Sequence, residues 1–197
     1  TDGTRIYTAP PIFERDSSLA RSQATFWSTD KGRLTVALRM YEKRFGDRPK
    51  VSSTEALRGM EAARIKASYR YLAAQAGVRW EGRRFDRKAP ETSDLPNQAI
   101  NHAVTAVEAM VTVAVSITGT IPALGFVHED SSISWVLDIC DLYRTTVTVP
   151  IAFKCAKEHF TSQDMSLDRR VRRACSSYFR EAGFIDHVID DIKELLE

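Results

Sequence analysis

One period dominates this chain. From about Ser18 onward apolar side chains recur every three to four residues, the spacing that lays one apolar stripe along a helix. Strand-like alternation is confined to Arg5-Ile6-Tyr7-Thr8, and Pro10-Pro11 stops it because neither proline can donate a ladder hydrogen bond. The expected class is therefore all-α. A lone strand has no partner, so residues 1–15 read as the end of an N-terminal β-domain and its linker, and 16–197 as a helical domain. With 197 residues, 43% of them hydrophobic, the chain can bury one sizeable core.

Stop and start signals divide the helical part. Ser18 to Phe45 reads as one helix, ended by Gly46 and the turn Asp47-Arg48-Pro49. Ser52-x-x-Glu55 has the form of a capping box opening a second helix that runs to Ala76 and stops at Gly77. Residues 79–90 read as irregular. Pro96 precedes a long Ala- and Val-rich helix from about Asn97 to Thr118, and 122–128 reads as a connector. Ser134 to about Phe160 reads as one or two helices broken near Pro150, with Ser166–Arg180 and Ile185–Leu196 completing the set.

Several classes are disfavoured. Cys140, Cys155 and Cys175 are widely spaced and odd in number, without a CxxC, which argues against a disulfide framework or thiolate zinc site and for a reducing, cytoplasmic setting. No basic start followed by an apolar run opens the chain, so no signal peptide is expected. The stretch Ala103 to Phe126 is interrupted by Glu108, Thr112, Ser116, Gly119 and Pro122, whereas a span needs about 20 predominantly apolar residues. It reads as a core helix, and no membrane association is expected.

Charge is unevenly spread. Residues 1–96 carry 19 Lys+Arg against 12 Asp+Glu, a net of +7, and residues 97–197 carry 9 against 14, a net of −5. The first half suits a polyanion and the second a cation. In residues 79–88, Arg79, Arg83, Arg84, Arg87 and Lys88 interleave with Trp80 and Phe85, a pattern that serves phosphates and stacked bases. A solvated loop with Trp80 tucked into the core fits equally well. Arg169, Arg172, Arg173 and Arg180 fall within roughly 100° of one helix face, opposite Val171, Ala174, Cys175 and Tyr178. A one-sided arginine stripe points to an anionic partner.

Four residues are candidates for chemistry. Asp138 and Asp141 lie three apart in an otherwise apolar segment, where two like charges need a cation or donors between them. His128 precedes them by 10 and 13 positions, presented from the connector. Glu61 sits among Gly59, Ala62 and Ala63, small residues that permit close approach. Each has a plainer alternative: a polar stripe for the aspartates, a capping or core imidazole for His128, an ion pair with Arg58 or Arg64 for Glu61. Together they offer one imidazole nitrogen and several carboxylate oxygens, a donor set suited to Mg²⁺ or Mn²⁺.

The motifs Arg44-Phe45-Gly46, Leu57-Arg58-Gly59-Met60-Glu61-x-x-Arg64, Gly82-Arg83-Arg84-Phe85-Asp86, Asn97-Gln98-Ala99, Gly125-Phe126-Val127-His128, Ser134-x-x-x-Asp138-Ile139-x-Asp141 and Val149-Pro150-x-Ala152-Phe153 occur in that order. This ordered set resembles the C-terminal helical domain of the CRISPR-associated adaptation integrase, the family called Cas one, most closely its type I-E branch. The resemblance implies a metal-dependent integrase and endonuclease that inserts prespacer DNA into a CRISPR array by 3′-hydroxyl attack on a phosphodiester. It also implies a homodimer working with a small partner, Cas two, on prespacer duplexes with single-stranded 3′ ends and on CRISPR repeat DNA. By motif, Glu61, His128 and Asp141 correspond to metal ligands and Asp138 to a supporting acid. Arg58, Arg64, Trp80, Arg83, Arg84, Arg169, Arg172 and Arg173 fall at or beside positions associated with DNA. Glu129-Asp130 departs from relatives that can carry Gly and Lys there, and would weaken local attraction for phosphate. A non-catalytic helical DNA-binding or scaffold subunit is the competing expectation.

Overall fold

A computed structural model of the protein describes residues 17–84 and 93–197. The strand-like Arg5–Thr8 and the end of the basic segment, Phe85 to Lys88, lie outside the described residues. Every described element is helical, as the period requires: α1 (Ser18–Trp27), α2 (Asp30–Phe45), α3 (Thr54–Ala76), α4 (Leu95–Ile117), α5 (Ser134–Leu142), a π-helical turn (Arg144–Thr148), α6 (Val149–Thr161), α7 (Leu167–Glu181) and α8 (Phe184–Leu196).

Helix α4 is the axis of the bundle, packed against α5, α6, α7 and α8. By length and composition it could cross a membrane. Here one face of it packs on other helices, while Val113 and Ile117 on the other side are exposed. Its first half buries Ala99, Ile100 and Ala103 against Phe153 and Ala156 of α6, Val171 and Cys175 of α7, and Tyr69 and Ala73 of α3. Its second half buries Val107, Val111, Ala114 and Val115 against Trp135 and Ile139 of α5 and Val188 and Ile192 of α8. Helix α3 is different: of its 23 residues only Leu57, Tyr69 and Ala73 are buried, so most of one long flank stays open to solvent.

Helix ends follow local chemistry, and three expectations are corrected. Ser18 to Phe45 is two helices and not one. Thr29 is extended, and its hydroxyl accepts from the Gly32 N–H at 3.0 Å, so a cap starts α2 inside the apolar period. The chain folds back tightly there: a Cβ at Gly32 would stand 2.1 Å from the Phe26 carbonyl oxygen. The expected box at Ser52 is shifted by one residue, because Ser53 is the cap that accepts from Ala56 N–H. The third correction concerns Pro150, which lies in the first turn of α6, where a missing N–H costs little. The irregularity precedes it, at the π-turn, where the Tyr143 carbonyl accepts from both Val147 and Thr148 N–H at 2.9 and 3.0 Å. The stops at Gly46 and Gly77 are as expected, both left-handed with φ of 77° and 65°.

The connector between α4 and α5 is irregular but pinned. Buried Gln23 of α1 donates to the Ile121 and Leu124 carbonyls at 3.0 and 2.9 Å and accepts from Ile121 N–H at 2.7 Å. Trp135 Nε1 donates to Thr120 at 3.1 Å. The loop that presents His128 therefore has a fixed base.

Candidate metal centre and nucleic-acid groove

Asp138 organises the site from inside the protein. It is 0% exposed, on the first turns of α5, and receives four donors. Its Oδ2 accepts from Phe126 and Val127 N–H at 2.5 and 3.1 Å, and its Oδ1 from His128 N–H at 2.9 Å. The fourth contact is His128 Nδ1, 2.7 Å from Oδ1. With three backbone N–H groups already on this carboxylate, the Nδ1 contact is a further N–H donated to Oδ1, and Nε2 is the ring nitrogen left free of Asp138. The Asp138 hydrogen bond outweighs burial and holds the imidazole pKa above its ordinary value. An imidazole oriented by a carboxylate behind it is the usual support for a histidine that binds a metal. Gly125 makes this approach possible, since a Cβ there would lie 2.3 Å from the His128 carbonyl oxygen and 2.6 Å from Ser134 Cβ.

Asp138 itself has no coordination left to give. Glu61 and Asp141 do, and both line a cavity of about 10 Å³, the size of a single water or ion, together with Arg44, Asp138 and Val127. Each carboxylate is paired with an arginine. Arg44 Nη1 donates to Glu61 Oε1, and Arg144 Nε donates to Asp141 Oδ1 at 2.6 Å, with its Nη2 on the same oxygen. Burial pushes the Arg44 guanidinium below its ordinary pKa. Burial also works against the charge on Arg144, but Asp141 and then Tyr69 hold it above its ordinary value. Among the described residues no three His, Cys, Asp or Glu side chains stand together as an ion cage. The structure thus brings Glu61, Asp138 and Asp141 to one cavity, and ties His128 to it through Asp138.

The expected ion pairs of Glu61 with Arg58 or Arg64 do not form. Arg58 donates to the Val127 carbonyl and lies 3.5 Å from Glu129, so it braces the connector and offsets one acid of the Glu129-Asp130 pair. Arg64 pairs with Asp47 and lies over the Tyr41 and Phe45 rings. Neither Arg58 nor Arg64 pairs with Glu61. Arg44, from α2, does, and only three-dimensional packing reveals it.

Beside the small cavity, and sharing Arg44, Glu61 and Asp141 with it, lies a groove of about 690 Å³. Lys66, Arg70, Arg83 and Arg144 line it, with Tyr69 and Trp80. Trp80 is half-buried, its ring 5.4 Å from Tyr69 and 5.2 Å from Phe153, so it packs on the core and still borders the groove. Buried Asn97 shapes the 82–84 segment: its Oδ1 accepts from Arg83 Nη1 and Arg84 N–H at 3.0 and 2.9 Å, and its Nδ2 donates to the Gly82 carbonyl at 3.0 Å. Arg84 also reaches Glu81 at 3.2 Å. On α7, Arg169, Arg172 and Arg173 are exposed, with Arg172 paired to Asp168 one turn before it.

The sequence profile described as CRISPR associated protein Cas1 matches residues 16–177. The chain belongs to this family. It is 34% identical to the CRISPR-associated endonuclease Cas1 1 of Rhodospirillum rubrum, over 98% of this chain and 63% of that protein. Against the CRISPR-associated endonuclease Cas1 of Escherichia coli K12 it is 36% identical, again over 98% of this chain and 63% of the relative. The crystal structure of a TtCas1–DNA complex matches with a TM-score of 0.84 and 31% identity, covering 93% of this chain and 67% of that one. This Cas1 chain therefore spans a little under two thirds of the length of these two relatives.

Proposed function

We propose that this Cas1 chain is the catalytic domain of a metal-dependent DNA integrase and endonuclease of CRISPR adaptation, inserting prespacer DNA into a CRISPR array by 3′-hydroxyl attack on a phosphodiester. The observation that carries this reading is the buried Asp138 that holds the His128 imidazole by Nδ1, beside the cavity lined by Glu61 and Asp141. The donor set of one imidazole nitrogen and two carboxylates fits Mg²⁺ or Mn²⁺, with Glu61, His128 and Asp141 as the ligands and Asp138 as the acid that orients the imidazole. Bound there, the ion would polarise the phosphodiester and stabilise charge on the attacking or leaving oxygen.

The chain's own groups supply the rest. Lys66, Arg70, Arg83 and Arg144 give the groove a cationic lining for one strand of the DNA backbone, leading to the acids, with Trp80 and Tyr69 beside it. Arg84 lines a separate pocket with Arg79 and Lys157, and would add phosphate contacts there. Arg58 and Arg64 flank Glu61 on α3, and exposed Arg169, Arg172 and Arg173 on α7 form a further surface for duplex phosphates. The substrates proposed are a prespacer duplex with single-stranded 3′ ends and CRISPR repeat DNA. The working assembly is a homodimer joined with the small partner Cas two, in the cytoplasm.

A second reading, a helical DNA-binding or scaffold subunit without catalysis, draws on one observation: both ligand carboxylates are neutralised by arginines and no ion cage stands assembled among the described residues. Substitution separates the two. In the full-length protein, His128→Ala and Asp141→Ala should each abolish Mn²⁺-dependent strand transfer while leaving DNA binding intact; normal integration by both variants defeats the metal-centre reading. Reversing Arg169, Arg172 and Arg173 to Glu should weaken DNA binding and flatten its dependence on salt by up to about 0.9 per lost phosphate contact. An unchanged salt slope assigns that face to a protein partner.

A further inference from the structure

The arginines at this site raise a question of charge. Glu61, Asp138 and Asp141 bring three negative charges together, and Arg44 and Arg144 bring two positive ones. Such a group is close to neutral by itself. A divalent ion would compete with the guanidiniums for the same carboxylates, Glu61 and Asp141, so one guanidinium yields its carboxylate when the ion arrives.

The two arginines are not equally anchored. Arg144 places both Nε and Nη2 on Asp141 and lies beside Tyr69. Arg44 holds Glu61 through Nη1 alone, and its Nε and Nη2 are buried without a hydrogen-bond partner. Two buried donors left unpaired make its present position a costly one. Arg44 also stands on the wall shared by the ion-sized cavity and the large groove, so space for it to move lies next to it.

We propose that Arg44 is a displaceable counter-ion, a positioning residue that holds Glu61 while no metal is bound and yields it to the divalent ion. In doing so it sets the affinity of the site for that ion. The groove receives the released guanidinium, whose two spare donors suit a phosphate oxygen. This inference rests on the metal-centre reading, and the tests below keep the two apart.

Mn²⁺ is titrated into full-length wild-type, Arg44→Gln and Arg44→Lys proteins, with free ion read by electron paramagnetic resonance. Removing one charge-assisted hydrogen bond to the ligand should tighten Mn²⁺ binding by roughly tenfold in Arg44→Gln. Arg44→Lys, which can still hold Glu61, should stay near wild type. Unchanged or weaker binding by a folded Arg44→Gln protein overturns the counter-ion role and leaves the metal centre standing. No Mn²⁺ binding by any of the three proteins overturns both. A second measurement needs no glutamine variant: on titrating wild type with Mg²⁺, the Arg44 Nε–H resonance should shift. A resonance that stays fixed while Mg²⁺ saturates the site refutes displacement.

Discussion

Asp138→Asn is the sharpest perturbation available, because it preserves shape and changes only charge and one acceptor. The parent carboxylate serves Phe126 and Val127 N–H on one oxygen and His128 N–H and Nδ1 on the other. An amide has a single oxygen. Its less costly orientation keeps that oxygen on the Phe126 and Val127 donors and turns its NH₂ toward His128. The His128 N–H then faces another donor, and the imidazole can bond only by moving its proton to Nε2. One charge-assisted bond is lost and two others fall to neutral strength, which sets the expected destabilisation at about 3–4 kcal/mol. For a domain of this size that corresponds to a fall in Tm of roughly 6–15 °C. Denaturant unfolding followed by helical circular dichroism measures the stability, and nitrogen-15 spectra of His128 report which ring nitrogen holds the proton. A loss below about 1 kcal/mol, or an imidazole that keeps its proton on Nδ1, refutes the assignment of Asp138 as the group that sets the tautomer.

Two other expectations follow from packing. Gly125→Ala drives a Cβ against the His128 carbonyl and Ser134, so it should destabilise the domain by about 2–3 kcal/mol; an unchanged denaturation midpoint would mean the connector approaches α5 less closely than described. Burial raises the thiol pKa of Cys155 to about 11 and of Cys175 to about 12, and that of Cys140 further still. The native protein should therefore react negligibly with a thiol reagent at pH 8 and release three equivalents once denatured, whereas one fast native thiol would contradict the burial.

The helical class and most helix ends could be read from residue chemistry, because period and glycine stops act locally. Gly46 and Gly77 end α2 and α3 where expected. The division between α1 and α2 was not legible, since Thr29 caps α2 in the middle of an unbroken apolar period. Pro150 misled in the opposite sense: it sits in a first turn that tolerates it, and the disturbance lies just before it. At the site, the carboxylates and the imidazole were legible as residue types at suggestive spacing. Their partners were not. Arg44 meets Glu61 from a different helix, 17 residues away, while the arginines at i−3 and i+3 turn elsewhere. Asn97 likewise gives no local sign that its buried amide shapes the segment carrying Arg83 and Arg84.

The π-turn at Arg144–Thr148 has a consequence for how this domain can vary. A π-turn is an α-helix with one residue inserted, and each residue advances the helix by about 100°. The insertion lets one run of chain from Ser134 to Thr161 serve two masters: α5 aims Asp138 and Asp141 at the cavity, while α6 aims Ala152, Phe153 and Ala156 at α4. Deleting a single residue there would restore a regular ladder and rotate the acids by a quarter turn or more relative to a core that cannot follow. A single substitution along this run disturbs one set of contacts, whereas a change in its length separates the whole acidic face from the scaffold that aims it.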